Sequence, residues 1–262
     1  MKNIFLFIGL SFLVACSNST DQKDGVERDE EKTEFPFKVE VLGAYVSTPY
    51  IQALQEHGST KKAQEVAEMS SAVLYKAGNK IMFANTWNFH EGGPIAEITM
   101  IAPDRGMIVE DGNDTPIFEI DLSIPNKITL SNADDQYELS RINSNDQSDD
   151  YSHTINANIL RGEFFLEDTE IQFLANGTII GLDSITGYEF LTDYFDAGLD
   201  VDMITLKFAD NRPQESFGYA IDKGTFMLFN LKCLQYDDTN EYCVERAFGE
   251  RYLAFRRGKL EV

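Results

Sequence analysis

Ser216-Phe217-Gly218-Tyr219-Ala220-Ile221-Asp222-Lys223-Gly224-Thr225-Phe226-Met227-Leu228-Phe229-Asn230-Leu231 holds two strand-length runs on either side of a tight turn. The runs are rich in aromatic and aliphatic residues, which suit a pleated, half-buried surface. Asp222-Lys223-Gly224 supplies a glycine where the chain must reverse. The same grammar recurs outward in both directions. Ala175-Asn176-Gly177 separates strand candidates at 170–174 and 178–183, and Lys76-Ala77-Gly78-Asn79 separates those at 72–75 and 80–85. Further candidates fall at 95–102, 106–110, 116–120, 127–130, 136–142, 188–191 and 203–208, with a last one at 250–256.

About a dozen short strands with hairpin punctuation imply an antiparallel meander. A meander must protect its edge strands, and closing into a barrel does so. The expectation is a mainly β chain, an antiparallel up-and-down barrel, with a β-sandwich or jelly roll as the alternative. One good helical region precedes the meander, at 50–69. Gly58 breaks it, and Ser59 or Thr60 caps a second short helix. No internal sequence repeat is evident, which argues against a propeller or solenoid.

Three features give the chain a resemblance to the lipocalin-like (calycin) barrels, especially those of small Bacteroidota lipoproteins. Gly43-Ala44-Tyr45 forms a Gly-x-aromatic motif at the end of a first strand expected at 37–41. One helical segment and an up-and-down meander follow, and Arg256 lies in the last strand. The resemblance implies a barrel that binds a small apolar or amphipathic ligand. It also implies closure of one barrel end by Gly43, Tyr45 and Arg256, with the arginine on the ring as a cation–π pair. Tyr45 stands where the family has Trp, and the chain is longer than a typical member.

The N-terminus carries a second resemblance, to bacterial lipoprotein signal peptides. Lys2 supplies a positive start, residues 4–14 an apolar run too short to span a bilayer, and Leu13-Val14-Ala15-Cys16 a lipobox. It implies a signal peptide over 1–15, cleavage before Cys16, and acyl chains such as palmitate on Cys16. Two or three chains make a stable anchor, since each buried CH₂ adds about 0.8 kcal/mol. Ser17 is not the Asp of inner-membrane retention, so the expected place is the outer membrane of the cell envelope, facing periplasm or surface. Residues 16–34 are an acidic tether with ten charges, and 35–262 form one β-rich domain.

The formal net charge is −22, and losing residues 1–15 removes Lys2 and no acid, giving −23. Such a chain does not track a phosphate backbone, so nucleic acid is excluded as a partner. With Cys16 assigned to lipid, Cys233 and Cys243 form an even pair in an exported chain. Two short strand pieces around Asp237-Asp238-Thr239-Asn240 would face them for a disulfide.

Trp87-Asn88-Phe89-His90-Glu91-Gly92-Gly93-Pro94 is the most unusual loop. It holds the sole Trp, a Phe and a His before a Gly-Gly-Pro turn. Aromatic bodies with polar tips suit a binding mouth, and the plain alternative is a plug of the barrel end. Trp87, Phe89, His90, Tyr219 and Phe229 are the candidate ligand-binding residues. The three His fit no metal spacing, no calcium-loop pattern is complete, and 44 acids single out no catalytic pair. With no nucleophile, phosphate or dinucleotide motif, the expectation is a non-enzyme without cofactor or metal. A module that docks an envelope protein is the alternative function, and a hydrolase with scattered residues the weakest.

Overall fold

Antiparallel pairing between sequence neighbours builds both sheets of the protein. A computed structural model describes residues 41–110, 112–113, 115–142, 151–160, 162–194, 200–210, 212–237, 239 and 242–258. The expected signal peptide, Cys16, the expected tether, the polar stretch 143–150 and all of the strand expected at 37–41 except Val41 lie outside these residues.

The first sheet begins with β1 (Gly43–Ser47), which runs straight into α1 (Thr48–His57) and α2 (Thr60–Glu65). β2 (Met69–Ala77), β3 (Lys80–Trp87), β4 (Gly92–Ala102), β5 (Arg105–Glu110), β6 (Phe118–Asp121), β7 (Lys127–Ser131) and β8 (Gln136–Arg141) follow as a meander. β8 returns to β1, with Tyr45 opposite Arg141 and Ser47 opposite Leu139, and the barrel closes. Its core draws on alternate positions, with Tyr45, Leu74, Phe83, Ile108, Ile120, Leu130 and Leu139 all fully buried. Each contributes roughly 1.5–3 kcal/mol relative to exposure.

The second sheet follows α3 (Tyr151–Ile159). It comprises β9 (Phe164–Leu166), β10 (Thr169–Phe173), β11 (Ile179–Ile180), β12 (Ile185–Phe190), β13 (Met203–Phe208), β14 (Glu215–Asp222), β15 (Thr225–Asp237) and β16 (Tyr242–Arg257). Its last strand, β16, pairs with its first, β9. Between β11 and β12 a single bridge, Thr178 to Gly187, replaces a ladder, so this second barrel is nearly closed. The sequence expectation of an antiparallel up-and-down barrel is therefore met, twice. Neither sheet shows the Greek-key crossing of a jelly roll among the described strands.

The helices join the two barrels. Ser47 accepts from the Tyr50 N–H (3.3 Å), Pro49 sits at the start of α1, and Gly58 ends it with φ +60°. A side chain at Gly58 would also meet Ile221 Cδ1 at 2.8 Å, so the residue doubles as the close approach of α1 to the second barrel. Ser59 caps α2 by accepting from the Lys62 N–H (3.0 Å). Tyr50, Ala53 and Leu54 of α1, Ala63 of α2 and Ile155 and Ile159 of α3 share one core with Ala44 and Val46 of β1 and the inner face of the second sheet.

β15 and β16 outrun their neighbours. β14 pairs with β15 only as far as Phe229, and β9 reaches only Arg256 and Arg257 of β16. The remainder is a two-stranded arm, which alone would be marginal. Its staple is the Cys233–Cys243 disulfide, with Cα atoms 5.8 Å apart. Closing so short a loop is worth about 2–3 kcal/mol.

The expected Tyr45–Arg256 closure is corrected by this topology. Tyr45 belongs to the first barrel, while Arg256 sits in β16 of the second sheet, exposed. The first barrel ends at β8, not at the chain's last strand, and its arginine is Arg141. The Arg141 Nη2 donates to the Leu42 carbonyl (2.7 Å), and its guanidinium lies across Gly43. A side chain at Gly43 would meet Arg141 Nε at 3.3 Å, and φ there is +142°, a value glycine tolerates. The motif also opens β1 rather than ending a strand. The second barrel repeats the device. Gly162-Glu163 leads into Phe164, the first residue of β9, and Phe164 faces Arg257 of the last strand, whose guanidinium lies 5.2 Å from the ring centre. Arg257 also donates to the Ile159 carbonyl at the end of α3 (3.2 Å).

Candidate functional site

The five residues expected to bind a ligand do not converge. Trp87 ends β3 at one mouth of the first barrel. Phe89 turns away and packs on Tyr50 (5.0 Å) and Tyr151 (5.5 Å). His90 is exposed. Tyr219 is buried in the second barrel, and Phe229 stacks on Phe248 at the root of the arm (4.7 Å). The divergence of Trp87 and Phe89 has a local cause. Asn88 and Phe89 both take positive φ, +60° and +61°. The Asn88 side-chain oxygen accepts from the Glu91 N–H (2.8 Å), and the Trp87 N–H donates to the Glu91 carbonyl (2.9 Å). Asn tolerates this conformation and Phe does not, so the loop is strained in favour of seating Phe89 on the helices.

Trp87 instead begins an arc of rings inside the first barrel. It meets Tyr137 of β8 at 5.9 Å, Tyr137 meets Phe118 of β6 at 5.9 Å, and Phe118 meets Phe83 of β3 at 6.3 Å. These strands are not neighbours, so the rings touch across the interior. Each edge-on contact adds about 0.5–1.5 kcal/mol beyond burial.

Asn85 lies on β3 between Phe83 and Trp87 and shares their face, because side chains alternate along a strand. It is 3% exposed, and among the described residues neither its amide nitrogen nor its amide oxygen has a hydrogen-bond partner. Its cross-strand neighbour on β2 is Ala72, and on the other side a side chain at Gly93 would overlap its amide. Leaving such a group unpaired costs about 1–3 kcal/mol. Sequence reasoning missed it. The available signal was the run Ile81, Phe83, Asn85, Trp87, which puts one amide on an otherwise apolar face.

A cleft of about 280 Å³ opens at the same mouth. Ser47, Pro49, Val66, Ala67, Met69 and Tyr137 line it together with Glu65, Glu68, Asp135 and Glu138. Glu138 is paired with Lys127 (2.5 Å). Burial raises the Tyr137 phenol, and the Asp135 and Glu68 carboxylates add to the rise. Two other clefts, of about 490 Å³ on β3–β5 and about 380 Å³ beside the end of α1, have different linings.

The second barrel offers a contrast. Phe164, Phe173, Tyr188, Phe190, Tyr219, Phe226 and Phe255 touch one another in a continuous mesh. Its buried polar groups hold α2. The Tyr219 hydroxyl accepts from the Thr60 N–H (3.0 Å), Tyr194 and Thr60 share a hydrogen bond (2.7 Å), and Asp202 accepts from the Lys61 N–H (2.9 Å). Burial pushes the phenols of Tyr50, Tyr188, Tyr194 and Tyr219 above their ordinary value of 10.0. Their folded pKa exceeds the unfolded one, so their contribution is complete below pH 10 and is lost as the pH rises beyond it. Absorbance at 295 nm should therefore show these four ionising only in a cooperative step that coincides with unfolding. A single smooth titration of all eleven tyrosines would contradict this packing.

The chain matches no protein-family model, no curated protein and no solved structure. Among the described residues no three His, Cys, Asp or Glu side chains gather as metal ligands.

Proposed function

We propose that the chain is a lipid-anchored envelope protein whose first barrel admits a small, largely apolar ligand through the Trp87–Tyr137 mouth. The contrast between the barrels carries this reading. The second interior is a mesh of touching rings that also seats three helices, as a structural unit requires. The first has its rings at one mouth, an unpaired amide behind them, and a cleft in front. Small-molecule sites share this make-up, an apolar enclosure with a few placed polar groups. Support for the anchor comes from the sequence alone, from the lipobox at Cys16 and the charged tether behind it.

The test begins with Cys16→Ser in the native host. The wild-type chain should sediment with membranes, and the variant should move to the soluble fraction. Retention of the variant in membranes would refute the anchor. The same soluble full-length variant, examined by native mass spectrometry, should carry a small molecule.

A second reading has its own observation. Leu234 and Tyr236 are 52% and 54% exposed on the stapled arm. An apolar surface of this kind suits contact with another envelope protein.

A further inference from the structure

We propose that the mouth of the first barrel selects a neutral, planar amide or lactam, which pairs edge to edge with Asn85 and lies among the rings of Trp87, Tyr137 and Phe118. This deepens the proposed ligand-binding reading and rests on it. An asparagine amide presents a donor and an acceptor side by side in one plane. Both are buried and unpartnered in Asn85. A cis amide edge, C(=O)–NH, answers both at once. A hydrocarbon answers neither, and a carboxylate offers two acceptors and no donor.

The surroundings make the same choice. The cleft before the mouth carries Glu65, Glu68 and Asp135, which repel an anion before it enters. Tyr137 lines both the cleft and the arc of rings, and Met69 of the cleft wall is the cross-strand partner of Trp87, two residues from Asn85. Asn85, Trp87 and Phe118 do not line the cleft themselves, so a ligand reaches the amide by displacing side chains of the cleft wall. The ring faces suit a flat ligand.

The experiment uses the full chain carrying Cys16→Ser, titrated at pH 7 with benzamide, benzoate and toluene. The three share a ring and differ in the group aimed at Asn85. Trp87 is the sole Trp, so its fluorescence reports on the mouth directly. Benzamide should give a saturable change with about tenfold or more tighter binding than benzoate or toluene. Asn85→Leu should weaken benzamide by about tenfold and leave toluene as tight or tighter. Glu65→Gln, at an exposed residue of the cleft that is not among the groups acting on Tyr137, should tighten benzoate by about two- to threefold without changing benzamide, a readout that does not touch the barrel wall. If toluene binds as well as benzamide and Asn85→Leu does not alter their ratio, the amide selectivity is wrong and the binding barrel stands. If none of the three probes perturbs Trp87, both readings fall.

Discussion

Phe226→Ala should destabilise the protein by about 3–5 kcal/mol, the largest loss expected from a single side chain here. Phe226 has no exposed surface and touches Phe164, Phe173, Tyr219 and Phe255, which come from four different strands. Removing the ring deletes its burial and also leaves four neighbours around a void that β-sheet backbone cannot collapse to fill. At about 2–4 °C per kcal/mol for a chain of this size, the midpoint of thermal unfolding should fall by roughly 6–20 °C. Phe248→Ala is the matched control. Phe248 is 40% exposed, stacks on Phe229 and lies over Gly218 at the root of the arm, so its loss should cost under about 1.5 kcal/mol. Comparable losses from the two would mean that the second barrel is not the rigid unit of the fold. Calorimetry of the pair decides it.

How far this architecture was legible follows from which interactions are local. The hairpins at Gly78, Gly177 and Gly224 were visible, because a reversal needs particular residues at particular places. The caps at Gly58 and Ser59 were visible for the same reason. Closure was not. The pairing of Tyr45 with Arg141 and of Phe164 with Arg257 spans most of a barrel in each case. No local pattern announces where one meander ends and the next begins. A reader who sees one run of strands assigns the closing arginine to the chain's end, at Arg256. The true closers, Arg141 and Arg257, follow once two barrels are recognised. α3 leaves little trace in the sequence, because Ile155 and Ile159 supply an apolar face of only two turns. At the candidate site, Trp87 stood out by its rarity. Asn85 and Tyr137 needed the register, since only pairing shows that β3 and β8 point their side chains into the same interior.

Arg141→Met should separate these two accounts of closure, with an expected loss of about 1.5–3 kcal/mol against under about 0.5 kcal/mol for Arg256→Met. Methionine keeps much of the aliphatic stem and removes the guanidinium. At position 141 this leaves the Leu42 carbonyl without its charged donor and uncovers Gly43, whose +142° φ is compatible with the arginine lying across it. The phenol of Tyr45 should respond as well. Burial raises it and the Arg141 charge draws it down, so removing that charge should move its ionisation further up. A stability loss together with an upward shift at Tyr45 marks direct contact at the barrel end. At position 256 the side chain is exposed on the outer face of β16, and its backbone pairing with Phe165 and Thr225 does not depend on what it carries. Chemical denaturation of the two variants gives the ratio. If Arg256→Met proved the costlier, the chain's last strand would close the first barrel after all, and the division into two barrels at β8 would be wrong.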